Sequence, residues 1–262
     1  MAYKQLAITT LAVLGLQMST CLADQDQKSH GTNNTLHWSY EGETGVTHWS
    51  SLAKEYALCG TGKRQSPIDI TNSITTDFPP LEFNYNPIPL IIENNGHTIK
   101  MMADKAGSLT IGDDTYQLLQ FHTHAPSEGA INGKRADMVI HMVHKKAQEK
   151  LELAVVAVYL ETGKTANPLI DTLWKVMPTK SGKPQHHDDI EIDINQLLPQ
   201  DKNYFTFNGS ITVPPCFEGV KWIILKQPVS ISADQLAQFH AVYPKNARPL
   251  QPLNGRKVFS SN

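Results

Sequence analysis

Tyr116–His144 reads YQLLQFHTHAPSEGAINGKRADMVIHMVH, two apolar runs on either side of a turn-forming segment. Tyr116–His124 and Met138–His144 are short and rich in aromatic and β-branched residues. Pro126, Gly129 and Gly133 stand between them, a pattern that predicts strand, turn region and returning strand. In a strand, residues i and i+2 share a face about 6.5–7 Å apart. His122 and His124 therefore point the same way, and a hairpin return brings His141 beside them. Three neutral imidazoles with a fourth position left open make a catalytic zinc site, since structural sites are closed by four protein ligands. His144, three residues after His141, falls on the opposite face and reads as structural. His186-His187, followed by Asp188-Asp189, lies in a polar stretch and reads as solvated loop with no metal assigned.

Other runs bounded by turn residues extend the pattern: Leu81–Tyr85, Leu90–Ile92, Thr98–Met102, Ser108–Ile111, Leu153–Leu160, Tyr204–Phe207 and Val220–Leu225. Helical signals are few. Asn167–Val176 opens with Asn, has Pro just inside, and spaces its apolar residues at three and four. Ser232–Ala241 opens with Ser232 and Gln235 in capping-box spacing. Strands outnumber helices and do not alternate with them. The expected fold is mainly β (α+β): one domain with a large, mostly antiparallel central sheet and short peripheral helices.

The balance of 40% hydrophobic and 18% charged residues, with net charge −2, is that of an ordinary globular protein. There is no basic stripe to predict a nucleic-acid partner and no polybasic run to predict a membrane surface. Residues 1–23 read as a signal peptide, with Lys4, the apolar Leu6–Leu16 and small residues before Asp24. Residues 24–36 are a polar lead-in, and 37–262 form the domain. Export places the chain in a periplasmic or secreted setting, free of the membrane after cleavage. Cys59 and Cys216 remain, and in an oxidising compartment such a pair reads as one disulfide. It would close a loop of more than 150 residues, a constraint worth about 5 kcal/mol at most. Two free buried thiols are the alternative.

Five blocks, in order, resemble the α-class carbonic anhydrases: Arg64–Ile70 (RQSPIDI), Asn94–His97 (NNGH), Gln120–His124 (QFHTH), Ile140–His144 (IHMVH) and Gly209–Cys216 (GSITVPPC). The resemblance covers most of the mature chain and suggests an exported bacterial type. It implies a twisted sheet with Zn2+ held by His122, His124 and His141 at the bottom of a conical cleft. It also implies a Cys59–Cys216 pair. The implied reaction is reversible hydration of carbon dioxide to bicarbonate and a proton, by attack of a zinc-bound hydroxide. Thr212 would accept a hydrogen bond from that hydroxide and donate to Glu128. His97 would carry the proton out, with Tyr40, Asn95 and Asn94 holding the connecting waters. Val143, Val155, Ile211 and Trp222 would wall the substrate pocket, although each taken alone is equally a core residue. Gln120 would brace His122, and the backbone near Asn246 would brace His124. Homodimers are common among exported bacterial members, an analogy only.

Two positions depart from the pattern. Val139 stands where the family carries a Glu whose carboxylate orients the third ligand, and such losses typically cost 10–100-fold in metal affinity or activity. Weaker zinc retention, or a shifted pKa of the metal's water, is expected. Val213 replaces a hydroxyl residue beside Thr212 and removes one polar contact in the pocket. Two rival readings are weaker. The spacing His122, His124, Glu128, His141 also suits a cupin, but Tyr116 and Arg135 occupy positions where that motif wants Gly. A binding module of carbonic-anhydrase type without activity would have lost ligands, and all three are present.

Overall fold

The computed structural model describes residues 37–146 and 152–262; the leader at 1–23 and the lead-in at 24–36 lie outside the described residues. Eight strands build the body: β1 (Ile88–Asn94), β2 (Ile99–Met102), β3 (Asp114–His124), β4 (Met138–Lys146), β5 (Leu153–Thr162), β6 (Gln185–Ile192), β7 (Tyr204–Ser210) and β8 (Glu218–Leu225). Their order across the twisted sheet is β6-β1-β2-β3-β4-β5-β8-β7, continued by the two-residue strands Phe259–Ser260 and Ile74–Thr75. Most neighbours are antiparallel, while β5 runs parallel to β8. The expected mainly β fold is the one observed.

β5 reads LAVVAVYL before its polar end and is buried at every one of those positions, as a strand covered on both faces must be. Its two sets of alternating residues serve different cores. Ala154, Val156, Val158 and Leu160 join Met138, Ile140 and Met142 in the larger core, which also buries Leu173, Trp174 and Phe239 from the helices. Val155, Ala157 and Tyr159 face the other way, with Val139, Phe207, Trp222 and Ile224. Both expected helices form, α1 (Pro168–Lys175) and α2 (Ala233–His240). Asn167 Oδ1 accepts from the Leu169 and Ile170 amides, and Ser232 with Gln235 completes a capping box. These side chains satisfy helix amides that have no partner within the helix.

The register of β3 on β4 decides the site. His122 lies directly opposite His141, and His124 opposite Val139. On the next strand Ala157 is opposite His141 and Tyr159 opposite Val139. The pairing of β3 with β4 shifts by one residue between Leu118 and Gln120, a bulge at Leu119. His186 and His187 correct the sequence reading, since they lie in the edge strand β6 and not in a loop. Its run of charged residues gave no apolar alternation to read, a composition suited to an unpaired sheet edge. Cys59 and Cys216 are joined across 157 residues of chain.

Candidate metal centre

Strand alternation delivers His122 and His124 to one face of β3, and the cross-strand register delivers His141 from β4. The ring centroids are 5.0 Å apart for His122–His124, 5.4 Å for His122–His141 and 4.9 Å for His124–His141. Their candidate ligand atoms all lie within 4.8 Å of one another, and the three form the single such cluster among the described residues. Burial pushes the pKa values of His122 and His141 well below the usual imidazole range, and the neighbouring imidazoles push the same way. Desolvation opposes a charged ring, so the lone pairs stay available.

Hydrogen bonds to the remaining nitrogens fix which lone pairs those are. His122 Nδ1–H donates to Gln120 Oε1 at 2.9 Å, and His124 Nδ1–H donates to the Asn246 carbonyl at 2.7 Å. Each leaves its Nε2 free, and His124 Nε2 is buried with no hydrogen-bond partner. A buried acceptor without a donor costs free energy unless something satisfies it. A divalent cation would satisfy all three nitrogens together, so the residues fit a metal of the zinc type.

Glu128 is fully buried beside this cluster. Its Oε1 accepts from the Arg248 amide at 2.8 Å. Its Oε2 lies 3.6 Å from His124 Nε2 and 3.9 Å from His141 Nδ1, and has no hydrogen-bond partner. The Thr212–Glu128 hydrogen bond expected from the sequence is therefore not formed through Oε2. The carboxylate turns that oxygen toward the imidazoles, while Thr212 is buried in the loop after β7.

The other expected residues fall as follows. His97 is half-buried, stacked on Trp38 with centroids 3.7 Å apart and planes 8° from parallel. Burial lowers its pKa, and His37 adds to the effect. Asn95 Oδ1 is occupied by the His97 and Thr98 amides and so shapes the turn itself. Asn94 takes the Tyr243 hydroxyl and the Gly96 amide. The Tyr40 hydroxyl is buried without a partner, and its pKa is raised well above normal by desolvation, then by Glu128. Val143, Val155, Ile211 and Trp222 belong to one apolar cluster, with the Trp222 ring 4.9 Å from that of His141; Val213 is half-buried and outside it.

Two important residues carried little or no sequence signal. Asn246, which entered the sequence reading only through its backbone, uses its buried side chain to accept from the Ala125 amide and donate to the His97 and Thr123 carbonyls. Arg248 sends its guanidinium to Gln65 Oε1 and the Ser66 and Cys59 carbonyls. Both sit in an irregular stretch near the C-terminus with no periodicity to betray them.

A sheet that gathers three imidazoles on one face, beside a buried carboxylate, defines a protein able to hold one metal ion. A sequence model of the eukaryotic-type carbonic anhydrases matches residues 44–262. The carbonic anhydrase of Klebsiella pneumoniae is 45% identical over 225 residues, covering 85% of this chain and 90% of that protein. That of Neisseria gonorrhoeae is 42% identical, covering 88% of this chain and 89% of that protein. The α-carbonic anhydrase of Thermovibrio ammonificans, solved with the inhibitor sulfanilamide, superposes with a TM-score of 0.80 at 39% identity, covering 86% of this chain and 99% of that one. The chain belongs to the eukaryotic-type, or α-class, carbonic anhydrase family.

Proposed function

We propose that the protein catalyses the reversible hydration of carbon dioxide to bicarbonate and a proton, with Zn2+ held by His122, His124 and His141. The observation that carries this reading is the convergence of three imidazoles, His124 and His141 buried and His122 partly so, two of the three with their far nitrogens already engaged. Bound Zn2+ supplies a Lewis acid that brings the pKa of water from 15.7 toward about 7, the value known for carbonic anhydrase itself.

Everything else falls to the chain. Gln120 and the Asn246 carbonyl hold two ligands in one tautomer, with the lone pair aimed inward. Glu128 places an unpartnered carboxylate oxygen beside them, and we assign it as acceptor for the Thr212 hydroxyl once the site is filled. Thr212 then has its hydrogen committed and its lone pair free to orient the attacking oxygen. Val143, Val155, Ile211 and Trp222 offer an apolar wall suited to carbon dioxide, and we assign Val213, in the Thr212 loop, to the same pocket. His97 accepts a proton at its ring and passes it to solvent, a task open to a half-exposed imidazole. We assign the unpartnered Tyr40 hydroxyl as an anchor for water on that route, while Asn95 holds the turn that carries His97.

Export to the periplasm or beyond is supported by the leader pattern at 1–23 and by the Cys59–Cys216 bond. Among the described residues no helix is long and apolar enough to cross a membrane. The test is metal content together with carbon dioxide hydration, before and after chelation. One zinc per chain, with activity lost on chelation and restored by zinc, is the expected result. Protein that takes up no zinc and stays inert when supplied with it refutes the proposal.

A further inference from the structure

The three imidazoles are not held alike. His122 and His124 each donate their outer N–H to a protein oxygen. His141 turns Nδ1 toward Glu128 at 3.9 Å, which leaves Nε2–H on the far side of the ring to find its own acceptor. Val139, two residues back on the same face, has none to give. Diagonally across the strand pair stands Tyr159, directly opposite Val139 and buried. His141, Tyr159, Gly129, Ile68 and Ala157 line a cavity of about 10 Å³, the room one water needs. A Cβ on Gly129 would collide with the Tyr159 hydroxyl and come within 3.7 Å of the Ile68 carbonyl oxygen. Glycine there lets the hydroxyl and the carbonyl approach the same spot. The Ile68 carbonyl already accepts from the Ala130 amide at 3.2 Å and keeps a second lone pair.

We propose that this cavity holds one water, which accepts from His141 Nε2–H and donates to the Tyr159 hydroxyl and the Ile68 carbonyl. Tyr159 is then a positioning residue for the third metal ligand, acting through the water. Three hydrogen bonds are the usual complement of a buried water, and a bridge of this kind holds nearly as well as a direct bond. The proposal rests on the reading that the three histidines hold zinc.

The experiment measures zinc dissociation constants by competition with a chromophoric chelator for the wild-type chain, Tyr159→Phe, Val139→Glu and the double variant. Tyr159→Phe keeps the ring and removes the oxygen; it is expected to weaken zinc binding about tenfold, within the range for such partners. Val139→Glu puts a carboxylate where it can take the Nε2–H directly and displace the water. It is expected to bind zinc more tightly than wild type and to make Tyr159→Phe silent, within twofold. Should Val139→Glu not fold, Ala157→Val fills the cavity with methyl groups; it should weaken zinc binding by a similar factor, with no further loss on adding Tyr159→Phe. Wild-type protein that binds no zinc fells the metal reading and this inference with it. Wild-type protein that binds zinc normally, with Tyr159→Phe within twofold of it or equally harmful in the Val139→Glu or Ala157→Val background, overturns this inference alone.

Discussion

Asn246→Ala should destabilise the metal-free protein by about 3 kcal/mol. The side chain is fully buried and makes three hydrogen bonds, to the Ala125 amide at 2.9 Å, the His97 carbonyl at 3.0 Å and the Thr123 carbonyl at 2.9 Å. Each contributes roughly 0.5–1.5 kcal/mol net, and a buried group left without a partner costs about 1–3 kcal/mol. Thr123 O keeps its bond from the Thr98 hydroxyl and is spared. The Ala125 amide is buried and bears most of the penalty, which a water entering the vacated space would partly relieve. Asn246→Asp separates the effects. It retains an acceptor for the Ala125 amide but sets a carboxylate oxygen against two carbonyls, so it should be at least as harmful as alanine. Urea unfolding at neutral pH, followed by the fluorescence of the four tryptophans, measures both. A loss below 1 kcal/mol for Asn246→Ala, or a milder effect for Asn246→Asp, would refute the reasoning.

Glu128→Gln keeps the bond from the Arg248 amide but turns an NH2 group toward His124 Nε2 and His141 Nδ1. The amide competes for the lone pairs a metal needs, and zinc affinity should fall about tenfold or more, read by chelator competition. His144 is buried against the Tyr85 hydroxyl at 2.6 Å, and burial lowers its pKa from 6.5 to about 4. Below pH 6.5 the unfolded chain binds a proton there that the folded chain refuses until about pH 4. Stability is therefore lost as pH falls through that window, by about 3 kcal/mol at its foot. His144→Gln should show a shallower acid dependence of its urea midpoint by that increment; equal slopes would sink the assignment. Breaking the Cys59–Cys216 bond with Cys59→Ser frees a 157-residue loop in the unfolded chain and should lower stability by about 2–5 kcal/mol in thermal melts.

The elements that position the site were largely legible in the sequence. His122 and His124 announce a shared face through their spacing, and the two apolar runs around Pro126 and Gly133 announce the strand pair that brings in His141. Continuous apolar runs such as Leu153–Leu160 declare a strand buried on both faces. β6 escaped notice because its exposed edge carries charge instead of alternation. Asn246 and Arg248 escaped because their work is done by long-range hydrogen bonds, across 121 and 120 residues to Ala125 and Glu128. A local window cannot register such distances. Thr212 shows a third kind of gap, since a family block places the loop but not the direction in which a carboxylate turns.

The one-residue bulge at Leu119 has a consequence for how such a site could arise or be lost. Continuing the pairing of Leu118 with His144 without interruption would set His122 against Ile140 and His141 against Phe121. Directly paired residues share a face, so the third imidazole would then emerge on the reverse side of the sheet, with every ligand still present in the chain. Drawing Leu119 into the ladder, with no residue gained or lost, could thus disarm the centre as thoroughly as removing a histidine. An inventory of ligands would record no change.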